Sequence, residues 1–595
     1  MAVTYLMYVL VLLAVQYLRL SSSQDDLTVL TDKGKVRGTR VPVPGGSVVA
    51  FLGIPYAEPP VGDLRFRRPV PCKAWSGVWE ANEFPSTCHQ HRDEMFPGFP
   101  GAEMWNPNTR MSEDCLYLNV WVPSPTPHAA PVMAWIYGGG FSTGTASLEV
   151  YDGRFLSNTE GVLVVSFNYR VGALGFLALP GSQGVSGNAG LFDQRMVLQW
   201  ISDNIAAFGG DPQAVTLFGE SAGAASVNFH VLSPGSHALF TRAILQSGSV
   251  NAPWAAVPEG EAWNRSIALA RLLDCESGSA TGMEDCLRRL GPEEIVSQQH
   301  NVLKQHLPVG SAFIPTVDGD FLPDLPSVLI QSGQFKKTEF LLGVNKDEGT
   351  YFLVYGAPGF SIEHESLITV DNLLQVVGLF FPGLSDIARD AVAFYYTDWT
   401  DEFNGKKNRD ALNSIIGDYY ITCPLLEVTQ RFATFGNDAY LYFFDHRSSR
   451  NTWPPWMGVM HGYEIEFVFG LPLNRSLGYT VEEEAMSRKI MKYWANFART
   501  GNPNVPGPAT WPVFSAGTQE YISLNSDSPR TLKKLRAMQC KFWDSFLPKL
   551  QDMTVSIDKA ELQWKTQFHR WLSYMLDWKN QFNDYSLKKN QCGIL

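Results

Sequence analysis

The run Val-Thr-Leu-Phe-Gly-Glu-Ser-Ala-Gly-Ala-Ala-Ser at 215–226 commits this chain to one local geometry. An apolar segment enters it and small helix-compatible residues leave it, so a strand must pass to a helix through Gly-Glu-Ser-Ala-Gly, the pattern of a nucleophile elbow. Such a turn holds its central serine, Ser221, in a strained backbone. Gly219 and Gly223 on either side carry no side chains, which lets strand and helix close on each other. The hydroxyl then stands at the carboxyl end of a strand, where open parallel sheets hold their ligands.

The rest of the chain is consistent with that sheet. Apolar runs predict strands at 131–137, 161–169, 214–218, 242–246, 339–343 and 439–444, separated by helix-length segments such as 192–207. Continuous rather than alternating runs belong to strands buried on both faces, so the expected fold class is α/β: a large, mostly parallel central sheet with helices on both faces. With 595 residues, 45% of them hydrophobic, and no internal repeat, one large domain is the economical reading.

Both ends differ from this body. The apolar run at 5–15, followed by Ser-Ser-Ser-Gln-Asp-Asp, reads as a secretory signal over 1–23, although a basic start is missing. The α/β domain is then expected over 24–548. Over 549–595, Trp564, Trp571, Trp578 and Tyr585 recur every seven residues, with Phe568, Met575 and Phe582 four residues behind them. A seven-residue aromatic repeat predicts an amphipathic C-terminal helix that supercoils with partner helices, hence a homo-oligomer. Cys592, near its end, is placed for an interchain disulfide.

In a secreted chain the eight cysteines should mostly pair. Short separations suggest Cys88 with Cys115 and Cys275 with Cys286, and Cys423 with Cys540 would close a long loop; spacing alone does not fix the pairing, and Cys72 is left over. Asn264 and Asn474 head glycosylation sequons. The formal net charge of −12 argues against nucleic acid and for cationic ligands.

A serine hydroxyl is a weak nucleophile at neutral pH and needs a base in reach, itself oriented by a carboxylate. In hydrolases built around such an elbow the acid and then the histidine follow the serine along the chain. Glu348, after the run 339–343, and His461, in Met-His-Gly, satisfy that order. Activity is then expected to fall as pH drops through roughly 6 to 7, where a free imidazole protonates. The Gly-Gly-Gly-Phe turn at 138–141 and the residue after the serine, Ala222, offer backbone NH groups for a developing oxyanion.

With Phe-Leu-Gly-Ile-Pro-Tyr-Ala-Glu-Pro-Pro (51–60), Ser-Glu-Asp-Cys-Leu-Tyr-Leu-Asn-Val (112–120), Asn-Lys-Asp-Glu-Gly (345–349) and Met-Trp-Asn-Pro (104–107), the chain resembles the cholinesterases within the type B carboxylesterases, from about residue 25 to its end. The resemblance implies an α/β-hydrolase fold with Ser221 as nucleophile, His461 as general base and acid, Glu348 as orienting carboxylate, and Gly139, Gly140 and Ala222 as the oxyanion hole. It implies a choline site at Trp105, Glu220, Tyr351, Phe352 and Glu464, with Asp93 at the rim of a gorge. A quaternary ammonium cannot donate hydrogen bonds, so an indole face suits it, contributing on the order of 2 kcal/mol when desolvated. Choline esters would be the substrates, with no cofactor and no metal. The tail resembles a tetramerisation peptide that winds around a proline-rich anchoring partner, collagen-like or membrane-bound, and so attaches a secreted, synaptic enzyme.

The departures from the acetylcholinesterase pattern bear on specificity. The acyl pocket is implied at Val309, Ser311, Phe313 and Trp254, and Val309 and Ser311 stand where two phenylalanines narrow it in acetylcholinesterases. A pocket relieved of two rings should admit butyryl as well as acetyl esters. Rim positions usually aromatic are His91, Ser142 and His300. Two alternatives remain: a general carboxylesterase of uncharged esters, and a catalytically inactive adhesion-type relative.

Overall fold

The computed structural model describes residues 27–179, 181–182, 184–303, 310–505 and 510–591. The expected signal segment 1–23, Val309 and Cys592 lie outside them, as does the side chain of Tyr585. The chain forms two units, one comprising the residues up to Ser366 together with Asn413–Arg536, the other Leu367–Leu412 and the chain from Ala537 onward.

The first unit is built on an eleven-stranded sheet. Its strands in chain order are β1 (Thr39–Val43), β2 (Gly46–Pro55), β3 (Tyr117–Ser124), β4 (Ala130–Ile136), β5 (Leu163–Phe167) and β6 (Gly210–Glu220). They continue as β7 (Arg242–Gln246), β8 (Glu339–Asn345), β9 (Ala439–Phe444), β10 (Glu520–Leu524) and β11 (Arg530–Lys533). Across the sheet the order is β1-β2-β3-β5-β4-β6-β7-β8-β9-β10-β11. From β5 through β10 every neighbouring pair is parallel; β1, β2, β3 and β11 pair antiparallel at the two sides.

All six predicted runs are strands of the parallel block. Leu163–Phe167 is buried at every residue, as a strand covered on both faces must be. Of the five strands missed in the sequence, β1 and β11 are the two edges of the sheet, and β2, β3 and β10 lie inside them. β1 and β11 are short and largely exposed, Arg40, Pro42, Arg530 and Lys533 break up any apolar run, and charge or proline there keeps an edge from pairing with another chain. The core is strongly aromatic: Trp135 is fully buried, with its ring centre 4.8 Å from Phe218 and 5.0 Å from Phe469.

Cys88 pairs with Cys115 and Cys275 with Cys286. Cys423 and Cys540 are each disulfide-bonded. Cys72 is a free thiol, buried, donating to the Pro55 carbonyl at 3.3 Å and pushed up to about 11 by burial.

In the second unit, helices Val370–Phe380 and Asp386–Tyr396 start on the side-chain caps Thr369 and Ser385. Phe381 stacks on Trp543 and Tyr395 on Phe542. A helix from Leu547 to Gln591 follows, and along it Trp564, Trp571 and Trp578 stand 61%, 57% and 69% exposed. An aromatic face so open to water is half of an interface. No described helix is long and apolar enough to cross a membrane.

Candidate active site

Strand β6 ends at Glu220 and the helix Ala222–Leu232 begins two residues later, leaving Ser221 between them at φ 57° and ψ −123°. That strained backbone survives because its surroundings leave no alternative. A Cβ on Gly223 would lie 1.9 Å from the Ile136 carbonyl oxygen, and one on Gly219 would lie 2.6 Å from both that oxygen and the Gly223 backbone. Gly248, which nothing in the sequence singled out, is equally tight: a Cβ there would meet the Ser221 carbonyl at 2.2 Å.

Gly138, Gly139 and Gly140 follow β4, the neighbour of β6, so the glycine turn and the serine converge at the same end of the sheet. Gly139 and Gly140 have φ of 101° and 60°, and Ser142 and Thr143 both donate their NH groups to the Gly139 carbonyl at 3.0 Å. These two bonds close the turn and hold the Gly139 carbonyl within the loop.

Glu348 and His461 follow β8 and β9, two and three strands along from β6. His461 Nδ1 is 2.6 Å from Glu348 Oε2. The other carboxylate oxygen accepts from the Ser247 hydroxyl at 2.6 Å and the Asn345 NH at 2.7 Å, so the glutamate cannot rotate away. With Nδ1 engaged, Nε2 is the free nitrogen. It stands 3.2 Å from Glu220 Oε1 without hydrogen-bond geometry. Burial alone would push the imidazole down, but the charges of Glu220 and Glu348 and the Glu348 hydrogen bond outweigh it and hold His461 above its ordinary value. The unpaired expectation of roughly 6 to 7 is thereby moved upward. Glu220 is pushed up to about 8, chiefly by burial, with His461 pulling the other way.

His461, Ser221 and Glu220 line one cavity of about 470 Å³, whereas Glu348, the partner of His461, is buried and does not line it. Ser221, Glu220, His461 and the three glycines form one part of its wall, and Trp105, Tyr351 and Phe352 supply aromatic faces. Asp93, His91, Ser142 and His300 also line it, as does Trp254, whose indole NH is held by the Tyr420 carbonyl at 2.8 Å.

Several expected residues sit elsewhere. Glu464 is 1% exposed and does not line the cavity; its oxygens accept from Gln246 at 3.0 Å and Asn345 at 2.6 Å, so it braces the wall from behind. Phe313 is 2% exposed and, with Ser311, is not among the lining residues, whereas Gly310 is. Conversely, the sequence reading passed over Tyr355, which donates to Asp93 Oδ2 at 2.6 Å, and Gly462, which lines the cavity and where a Cβ would touch the Trp105 ring at 3.4 Å. It also passed over Ile421, a lining residue on the π-helical turn Asp418–Thr422. Tyr355 lies four residues after Tyr351, a spacing that puts two helical side chains on one face and could have flagged it. Ile421 carries no such signal.

Among the described residues no cluster of three His, Cys, Asp or Glu side chains is arranged to hold a metal. What the site can do is acid–base and nucleophilic chemistry: a half-buried hydroxyl on a strained turn that lines the cavity, and a base with one nitrogen committed to a carboxylate.

The fold and this elbow define an α/β-hydrolase, and residues 25–543 match the carboxylesterase family. The chain belongs to that family. Residues 558–592 match the acetylcholinesterase tetramerisation domain. The chain is 56% identical over 577 residues to a cholinesterase of Mus musculus, covering 97% of this chain and 96% of the relative. It is 53% identical over 613 residues to an acetylcholinesterase of Danio rerio, covering 97% and 96%, and 53% identical over 572 residues to one of Bungarus fasciatus, covering 96% and 94%.

Proposed function

We propose that this chain hydrolyses choline esters through an acyl-enzyme formed on Ser221. His461 Nε2 takes the serine proton as the hydroxyl attacks the ester carbonyl and returns it to the departing choline; water then repeats the sequence on the acyl group. Glu348 orients the ring and balances the imidazolium. The NH groups of Gly139, Gly140 and Ala222 receive the oxyanion, each such donor being worth roughly 3 kcal/mol of barrier.

The observation that carries the choline assignment is a cavity lined by both Trp105 and Phe352 and by the buried Glu220 next to Ser221. An aromatic and acidic site suits a cation that offers no hydrogen-bond donor. The relatives named cholinesterase and acetylcholinesterase support the same reading. The exposed aromatic helix, matched to a tetramerisation domain, would assemble four chains around a proline-rich partner outside the cell, and no described helix is long and apolar enough to cross a membrane.

The test compares a choline ester with its neutral carbon isostere on one preparation, after titrating active sites with an organophosphate. The choline ester is expected to turn over with the higher kcat/KM, by a factor of roughly 30 for a cation–π term of about 2 kcal/mol. Equal efficiencies would leave a general carboxylesterase, and no labelling at Ser221 would leave an inactive relative.

A further inference from the structure

The glycine turn beside Ser221 is fastened by a side chain that does not itself line the cavity. Gln90 is 3% exposed, and its amide engages one residue of that turn twice: Nε2 donates to the Gly144 carbonyl and Oε1 accepts from the Gly144 NH, both at 2.8 Å. Nε2 also donates to the Cys88 carbonyl at 3.0 Å. The amide therefore has one orientation. Turned over, it would set an oxygen against two carbonyls and an NH₂ group against an NH.

One end of this clamp is rigid. Cys88 is disulfide-bonded to Cys115, and Thr87 and Cys88 pair in parallel with Met111 and Ser112. The other end carries the turn, in which Gly138, Gly139, Gly140, Ser142, Thr143 and Gly144 all line the cavity. Gly144, at φ 114°, closes that run: a Cβ on it would press into the Tyr137 ring and lie 2.8 Å from the Gly138 carbonyl oxygen, so the end of the loop packs on its beginning. Between them the Phe141 carbonyl accepts from the Gly172 NH at 2.7 Å. A loop with this much glycine has more backbone freedom to lose than any other, and fastening Gly144 removes part of it before a substrate arrives.

We propose, resting on the hydrolase reading, that Gln90 is a positioning residue for ester hydrolysis, holding the 138–144 loop through Gly144 so that the NH groups of Gly139 and Gly140 meet the developing oxyanion. Gln90 acts through another residue and bears on the barrier, not on the capture of a cation. The segment that carries Asp93 has its own anchor, since Asn106 accepts from the Asp93 NH at 2.8 Å and donates to the Asp93 carbonyl at 2.9 Å. Loss of the clamp should therefore lower turnover and leave the cation site in place.

The test compares the full-length wild type with Gln90→Met, which keeps the length of the side chain without its polar atoms, and Gln90→Ala, which leaves room for water at the Gly144 peptide. Active sites are counted by organophosphate labelling taken to completion, so unfolded protein does not lower the rate per site. For a choline ester, kcat per site is expected to fall at least ~10-fold in both variants, short of the ~100- to 1,000-fold loss typical of deleting an oxyanion donor, while inhibition by tetramethylammonium stays within ~3-fold. Hydrogen exchange over residues 138–146, read by mass spectrometry, needs no activity: it is expected to be slow in the wild type and at least ~10-fold faster in the variants. An unchanged kcat per site in both variants overturns the positioning role. So does a wild-type loop that exchanges as fast as an open chain, a result that requires no variant to fold. A fall in kcat matched by an equal loss of tetramethylammonium affinity overturns it as well, because the whole cavity would have shifted. Faster loop exchange in the variants of a protein that hydrolyses no ester supports the clamp and counts against the hydrolase reading alone.

Discussion

Glu220 Oε1 lies 3.2 Å from His461 Nε2, the ring nitrogen that Glu348 does not hold. The proposed base therefore stands between two carboxylates. One holds the ring through a hydrogen bond; the other adds charge without making one.

This arrangement sets a pH prediction. His461 must be neutral to accept the serine proton, and its carboxylate neighbours stabilise the protonated form and raise its titration above the ordinary value. The acid limb of kcat/KM should accordingly lie above that of an unpaired histidine, with activity lost as pH falls through it. Glu220→Gln removes one carboxylate, so its limb should move to lower pH. A pH–rate profile on a neutral ester, which avoids any effect on cation binding, checks this; an unmoved limb would separate Glu220 from the base.

Acyl selectivity should follow the loop around Gly310. The family resemblance implies an acyl pocket at Val309 and Ser311, and on that reading Val309→Phe combined with Ser311→Phe should depress butyryl turnover and spare acetyl, by roughly 10- to 200-fold per methylene excluded. Steady-state kinetics on the two choline esters reads the effect. Equal losses for both would assign the acyl site to Trp254 and Ile421, which line the cavity with Gly310.

Gly223→Ala should be among the most damaging single-methyl additions in the chain. Its Cβ would lie 1.9 Å from the Ile136 carbonyl, a backbone atom that cannot rotate aside. Overpacking of this kind is expected to cost more than about 3 kcal/mol. Thermal inactivation should be much faster than for the wild type, with Ser221 labelling lost in the protein that remains soluble. Gly260→Ala, with nothing within 4 Å of the added methyl, is the control expected to behave as wild type.

Ending the chain before Trp564 removes the exposed aromatic helix face and nothing that lines the cavity. Such a protein should keep its kcat and elute without a tetramer on a sizing column. A persisting tetramer would move the assembly surface elsewhere.

What could be read along the chain was short-range. Six strands of the parallel block announced themselves because a strand buried on both faces must be apolar throughout. The elbow announced itself because the close approach of Gly219 and Gly223 to Ile136 excludes every residue but glycine. The tail did so because its aromatics repeat with the period of a supercoiled helix. Glu348 and His461 had no local signature and were singled out through family resemblance.

The tertiary structure decided everything that depends on residues distant in sequence meeting at the carboxyl ends of neighbouring strands. It turned Glu464 into a brace behind the wall, brought Tyr355 to Asp93 and Ile421 to the cavity, and set His91 against His300. Hydrophobic periodicity is a property of consecutive residues, so it survives in the sequence. Which polar groups share a hydrogen bond or a buried charge is set by strand order and loop path, and that information exists only once the sheet has closed its register.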